Sequence, residues 1–118
     1  MENNSAALLL RIFIGSTDKV NQEILSESIV FKAKAAGLSG ATAFKGMLGY
    51  GASSVIRSYK FWEVSEKLPV VVEIIDEEQK VLAFFETIRP MLESMRYGCL
   101  VVKEKVEVLL VKPGHKKH

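Results

Sequence analysis

Residues 68–79 read LPVVVEIIDEEQ and contain the clearest strand-to-helix transition in the chain. Val and Ile dominate 68–75, and these residue types are favoured in β-strands. Pro69 is compatible with this because the first residues of a strand can lack an N–H donor. In the acidic run that follows, Asp76 can cap a helix and Gln79 can complete a capping box. We therefore predict a strand over 68–75 and a helix that begins at Asp76.

The helix after Asp76 has an apolar stripe at helical spacing, which predicts its buried face. The stripe consists of Val81, Phe85, Ile88, Leu92 and Met95. Pro90 is expected to bend or split this helix because it removes one backbone hydrogen bond. Gly98 ends the linker that follows, and two further strands are predicted over 99–102 and 106–111.

The N-terminal half repeats the strand-then-helix order. Residues 7–14 alternate, which predicts a strand with one buried face formed by Leu8, Leu10, Ile12 and Ile14. A helix is predicted over about 22–36, with Asn21 as its N-cap and Gly37 as a left-handed C-cap. Its stripe is Leu25, Ile29, Ala33 and Ala36. A weaker strand over 40–47 follows.

The order β-α-β-loop-β-α-β predicts one α+β domain over residues 1–118, with a ferredoxin-like βαββαβ sheet and an extra C-terminal strand. Both helices would cover one face of the sheet. The other face keeps apolar residues such as Leu9, Phe13 and Val71, which favours self-association. Residues 1–6 and 112–118 are predicted to be flexible tails.

Composition excludes several classes of protein. The net charge of +2 is too small to indicate nucleic-acid binding. No apolar run approaches the ~20 residues of a membrane span, so no membrane insertion is expected. With one cysteine, no intrachain disulfide can form, and the chain has no basic signal-peptide start, so a cytoplasmic location is expected.

Motifs for catalysis are missing from the sequence. It has no P-loop, Cys-x-x-Cys, His-Glu-x-x-His or Gly-x-Ser-x-Gly pattern. The lone Cys99 lies in an apolar run and is interpreted as a core residue. We therefore expect a protein that is not an enzyme and has no metal site and no resident cofactor.

Residues 46–60 are the most informative segment for binding. Gly46, Gly49 and Gly51 allow sharp turns or close backbone approach to a ligand. Other residues offer partners for an anion or flat surfaces for stacking. These are the hydroxyls of Ser53 and Ser54, the cations Lys45, Arg57 and Lys60, and the rings of Tyr50, Tyr59, Phe61 and Trp62. The segment is either a ligand-binding loop or a glycine-rich hairpin whose aromatic residues pack on a neighbouring subunit.

Four stretches of the chain form a recognisable combination: Leu10–Gly15, Gly37–Thr42, Gly46–Ser54 and Leu68–Ile74. Together they resemble the domain-of-unknown-function family 190, whose members are similar to PII nitrogen-regulatory proteins, and the resemblance covers about residues 8–111. It implies a ferredoxin-like fold, a homotrimer and a T-loop-like excursion over about 48–67.

PII proteins bind adenine nucleotides in clefts between subunits, at the base of the T-loop. The loop after their second helix is rich in glycine, whereas this chain has Ser94–Cys99 there, with Arg96 and Gly98 as the comparable residues. The resemblance thus implies a cleft between 46–60 of one subunit and 94–98 of its neighbour. The candidate site residues are Lys45, Gly46, Gly49, Gly51, Ser53, Ser54, Arg57, Arg96 and Gly98.

The leading hypothesis is a PII-like signalling protein. It would bind a small anionic ligand, with an adenine nucleotide as the candidate, and present its loop to a partner protein such as a transporter or an enzyme. The alternative is a trimeric interaction module that has no small-molecule ligand.

Overall fold

The computed structural model of the chain describes residues 1–51, 56–58 and 67–115. Of the residues singled out above, Ser53, Ser54, Tyr59, Lys60, Phe61 and Trp62 lie outside this set, as does the end of the C-terminal tail. In chain order the elements are β1 (Ser5–Gly15), β2 (Lys19–Val20), β3 (Glu23–Ile24), α1 (Leu25–Ala35), β4 (Gly40–Lys45), β5 (Leu48–Gly49), β6 (Arg57–Ser58), β7 (Pro69–Asp76), α2 (Glu78–Ser94) and β8 (Leu100–Val108).

Four long strands form one antiparallel sheet in the order β4-β7-β1-β8. At its centre Ile12 of β1 pairs with Val72 of β7 on one side and with Val101 of β8 on the other. The two short pairs, β2 with β3 and β5 with β6, lie outside this sheet. The order is that of the ferredoxin-like α+β fold, so the predicted βαββαβ arrangement is confirmed.

The core lies between the helices and one face of the sheet. Alternate residues of β1 and β7 point to this face, because side chains in a strand alternate between its two sides. The strands contribute Leu8, Leu10, Ile12, Ile14, Val70, Val72 and Ile74, and the helices contribute Leu25, Ile29, Ala33, Val81, Phe84, Ile88 and Leu92. The face that the sequence predicts for the first strand is the one that is buried.

The opposite face of the sheet, called here the open face, is apolar at one end and charged in the middle. The register aligns Phe44, Val71, Phe13 and Leu100 in one row across the four strands. Phe44 and Leu100 are each about half exposed, at 52% and 51%. In the next rows Arg11 donates hydrogen bonds to Glu73 (2.9 Å) and to Glu104 (3.0 Å). These charges in the middle of the open face are therefore paired within the chain.

The first helix begins later than predicted, and Asn21 is not its N-cap. Asn21 has a φ of 53° and lies in the turn between β2 and β3. Pairing of Lys19 with Ile24 keeps this segment extended, so α1 starts at Leu25. The prediction for Gly37 is confirmed, since its φ of 82° is left-handed and the chain leaves the helix there. Ala36 is exposed, so the buried stripe ends at Ala33.

Three predictions for the C-terminal half are wrong in detail. Phe84 rather than Phe85 is fully buried, because Phe85 lies at the margin of the core beneath the Arg89 guanidinium, 4.6 Å from the ring centre. Of the two outcomes predicted for Pro90, a bend or a split, the split is wrong, because α2 runs unbroken over Glu78–Ser94. The two predicted final strands are one strand, β8, so no extra C-terminal strand is seen in the residues described up to 115. Lys103 to Lys105 look like a break in the sequence, but an edge strand tolerates charges.

Asp76 is the last residue of β7 and does not cap α2 by its side chain. It is fully buried, and its two carboxylate oxygens accept hydrogen bonds from the backbone N–H groups of Glu77 (2.7 Å) and Ser39 (2.8 Å). Burial alone would raise the pKa of Asp76, but these hydrogen bonds outweigh it and hold the pKa below its ordinary value. Asp76 thus ties the end of β7 to the turn before β4.

The Asp76→Asn variant should be less stable than the wild type at pH 7, because an amide offers one oxygen acceptor where the carboxylate offers two. A carboxyl whose pKa is lowered on folding stabilises the fold above its unfolded pKa of about 3.9. That stabilisation is lost as pH falls through the lower folded pKa. Urea unfolding at pH 7 and pH 3 should therefore show a stability gap between the two proteins that narrows at pH 3. A gap of equal size at both values would contradict this.

Candidate functional site

A cavity of about 610 Å³ lies at the end of the sheet where β1 finishes and β7 begins. Its walls come from four parts of the chain: the end of β1 and the turn after it, the glycine-rich segment after β4, the start of β7, and the loop after α2. The lining residues are Phe13, Ile14, Gly15, Asp18, Gly46, 48–51, Lys67, 69–71 and 96–100.

Gly46 joins the glycine-rich segment to the sheet. Its N–H donates a 2.6 Å hydrogen bond to the carbonyl oxygen of Pro69. A Cβ at this position would lie 2.9 Å from Pro69 Cγ, which is closer than real Cβ contacts. The close approach at Gly46 is thus made to Pro69 of β7 and holds one wall of the cavity in place, while the approach to a ligand stays a prediction.

Asp18 is a buried carboxylate in the turn after β1, with 1% of its surface exposed. Its Oδ2 accepts a 2.7 Å hydrogen bond from the Gly15 N–H, and its backbone oxygen accepts another from Leu25 (2.8 Å). Its Oδ1 forms an ion pair with the Lys67 ammonium and has no other hydrogen-bond partner among the described residues. The cavity thus contains one buried negative charge that is neutralised by one lysine.

Lys67 has 11% of its side chain exposed and enters the cavity directly before β7. The neighbouring Leu68 is fixed to Ser16 by two hydrogen bonds: its N–H donates to the hydroxyl oxygen (2.9 Å), and its carbonyl accepts from the Ser16 N–H (2.8 Å). The Lys67 ammonium also lies 4.0 Å from the ring centre of Tyr97, within cation–π range. Arg96 lies 5.3 Å from the same ring centre.

Cys99 lies at the edge of the cavity and is half-buried. Burial raises the pKa of the Cys99 thiol, and the negative charge of Asp18 raises it further. The thiol therefore stays protonated at neutral pH, which is opposite to the environment of a reactive thiolate.

The structure brings together five of the residues predicted for the site: Gly46, Gly49, Gly51, Arg96 and Gly98 all line the cavity. The sequence interpretation placed 46–60 and 94–98 on different subunits, whereas here both segments line the cavity of a single chain. A contribution from a neighbouring chain stays a prediction.

Lys45 does not line the cavity and is exposed at the end of β4. The backbone of Arg57 pairs with Gly49 across β5 and β6, and the part of its side chain in the site stays a prediction. Ser53 and Ser54 lie outside the described residues, so their part in the site stays a prediction.

Sequence reasoning missed Asp18, Lys67 and Tyr97. Neither of the two charged residues belongs to a recognisable motif in the sequence. The available signal was position: Asp18 follows the strand predicted over 7–14, and Lys67 precedes the strand predicted over 68–75. It becomes informative only with the pairing of Gly15 and Pro69, which places both strand ends side by side.

In residues 1–51, 56–58 and 67–115, no group of three or more His, Cys, Asp or Glu side chains could hold a metal ion. No helix in this part of the chain is long and apolar enough to cross a membrane.

The family model of DUF190, described as uncharacterized ACR, matches residues 7–108. The chain belongs to the DUF190 family. Among its relatives, a UPF0166 protein of Aquifex aeolicus (strain VF5) is 39% identical over 101 residues, covering 86% of this chain and 91% of the relative. A UPF0166 protein of Methanocaldococcus jannaschii is 35% identical over 75 residues, covering 64% of this chain and 68% of the relative. The predicted family resemblance is confirmed.

Solved structures similar to this DUF190 protein have the PII-like fold. One is CPII, a nitrogen regulatory PII-like protein from Thiomonas intermedia, solved with ADP, AMP and bicarbonate. It has a TM-score of 0.66 at 16% identity, with 90% of this chain and 91% of CPII covered. Another is a putative PII-like signalling protein from Thermus thermophilus. It has a TM-score of 0.63 at 20% identity, with 88% of this chain and 90% of that protein covered. At these identities the likeness establishes the fold.

Proposed function

We propose that this DUF190 protein is a PII-like regulatory protein that binds a small anionic ligand in the cavity and presents the 48–67 excursion to a partner protein. An adenine nucleotide is the first candidate for the ligand. The observation that carries the proposal is the position of Lys67, Arg96 and the Tyr97 ring in one cavity, at the base of the excursion.

The chemistry of the lining suits a nucleotide. Lys67 and Arg96 are cations, and charge-assisted hydrogen bonds to phosphate oxygens are among the strong ones. Tyr50 and Tyr97 offer flat faces on which a base can stack. The volume of about 610 Å³ is within the usual range for small-molecule sites. CPII, which shares the fold, was solved with ADP and AMP, and this agrees with the choice of ligand.

We further propose that three copies assemble through the open face. Its row of Phe44, Val71, Phe13 and Leu100 is too apolar to remain in contact with water, and closed cyclic symmetry buries a repeated patch without open-ended growth. Three of these four residues, Phe13, Val71 and Leu100, also line the cavity. A neighbour packed on the open face would therefore complete the cavity wall, which supports a ligand cleft between subunits.

The test is titration of the full chain with ADP and AMP by calorimetry. Arg96→Ala should weaken ADP binding by about tenfold or more, because a hydrogen bond to a charged group contributes about 1.5–3 kcal/mol. The matched control is Arg89→Ala, since Arg89 pairs with Glu86 and Glu93 on the outer side of α2, away from the cavity. This control should bind ADP as the wild type does.

Light scattering on the same samples should give the mass of three chains for the wild type and for both variants. A trimer that binds neither nucleotide would favour the alternative, an interaction module with no small-molecule ligand. Equal ADP affinities for Arg96→Ala and Arg89→Ala would remove Arg96 from the site, and a monomer at micromolar concentration would overturn the assembly.

A further inference from the structure

The cavity contains the carboxylate of Asp18, and a negative charge is not expected in a site that binds anions. Among the described residues, the charged side chains in its lining are Asp18, Lys67 and Arg96. Asp18 and Lys67 are already paired, so the net charge offered to a ligand is that of one cation and not two. The proposed function explains the cations but not the buried carboxylate beside them.

The Asp18–Lys67 pair is built into the fold and is not a chance surface contact. The Lys67 stem crosses directly over Gly15, where a Cβ would overlap Lys67 Cε. The Gly15 N–H in turn holds Asp18 Oδ2 at 2.7 Å, which aims Oδ1 at the ammonium. The centre of the Tyr97 ring lies 4.0 Å from the same ammonium. Lys67 is thus held by two partners at a defined place in the cavity wall.

We infer that Asp18 is a specificity-determining residue, which lowers the affinity of the cavity for anions by competing with them for the Lys67 ammonium. This inference rests on the proposed function. A phosphate that approaches Lys67 must share the ammonium with Asp18, and it also feels the repulsion of the carboxylate. Because Asp18 and the Lys67 side chain are only 1% and 11% exposed, both effects are stronger than they are at an exposed surface. An uncharged ligand neither competes for the Lys67 ammonium nor is repelled by the Asp18 carboxylate.

The inference predicts a gain of affinity on removing a buried charge. Asp18→Asn keeps an amide oxygen that can accept the Gly15 N–H, but it releases Lys67. We expect it to bind ADP and inorganic pyrophosphate about tenfold more tightly than the wild type does, the size of effect that one close charge pair can have. Binding of adenosine, which has no charge, should not change. Glu93→Gln removes one exposed carboxylate from α2 and is the matched control, with wild-type affinities expected.

The double variant Asp18→Asn/Lys67→Met tests whether the effect acts through Lys67. It should lose the gain and bind both anions more weakly than the wild type. Circular dichroism checks that each variant is folded. If Asp18→Asn does not fold, the wild type can be tested by NMR with inorganic pyrophosphate, which has no base to stack: the Tyr97 ring signals should shift as the ammonium turns to the phosphate. Unmoved Tyr97 signals with pyrophosphate bound would overturn the inference.

The remaining outcomes separate this inference from the proposed function. If the wild type binds ADP and Asp18→Asn binds it no more tightly, Asp18 has a structural role only. This inference is then wrong, and the proposed function is unaffected. The inference also falls if adenosine gains as much as ADP, or if the double variant keeps the gain. If no variant binds ADP or pyrophosphate, both the inference and the proposed function are wrong.

Discussion

Replacing Lys67 with methionine should lower the free energy of unfolding by about 3–5 kcal/mol, the cost of removing one partner from a buried ion pair. Asp18 is 1% exposed and has no other partner for its Oδ1 among the described residues. Its carboxylate would therefore lie in the protein interior without a compensating charge. Urea unfolding of the wild type and of Lys67→Met at neutral pH, followed by circular dichroism, measures the difference.

Two further variants show whether the loss comes from the unpaired charge. Asp18→Asn/Lys67→Met removes both charges together and should recover much of the stability, since neutral replacement of a buried pair is often tolerated. Lys19→Met removes one exposed lysine from β2 and should stay within about 0.5 kcal/mol of the wild type. If Lys67→Met is as stable as Lys19→Met, the pair is not a significant part of the stability of the fold.

Ile29→Ala should cost about 2–5 kcal/mol, the range for truncating a buried aliphatic side chain. Ile29 is completely buried at the centre of α1 and belongs to the core beneath the sheet. The truncation removes methyl and methylene groups from water-free packing and leaves a cavity that close-packed neighbours fill only in part. Thermal or urea unfolding gives the difference.

Phe31→Ala is the control for Ile29→Ala because it is a larger truncation on the same helix at a side chain that is 69% exposed. It should change stability by no more than about 0.5 kcal/mol. Similar losses for the two variants would mean that the buried face of α1 has been placed wrongly.

Sequence patterns worked best where one periodic signal dominated. The alternation of Leu8 to Ile14 and the dense Val and Ile run of 68–75 identified the two central strands and the face that they bury. The predictions were wrong where strand pairing in the folded protein overrode the local preference of a residue type. Asn21 is a good N-cap residue by type, yet β2–β3 pairing holds it in a turn, and Lys103 to Lys105 look like a break although β8 continues through them.

The sequence by itself determined the ferredoxin-like fold, the apolar open face and the glycine-rich segment beside the site, since each depends on local periodicity or residue type. Only the tertiary structure decided that Asp18, Lys67 and Tyr97 meet in one cavity. They lie far apart in the chain, and each is an ordinary charged or aromatic residue in its local context. Antiparallel register joins Gly15 to Pro69, and the missing Cβ of Gly15 leaves room for the Lys67 stem. An interaction of this kind depends on which strand ends become neighbours, and a short-range sequence pattern does not contain that information.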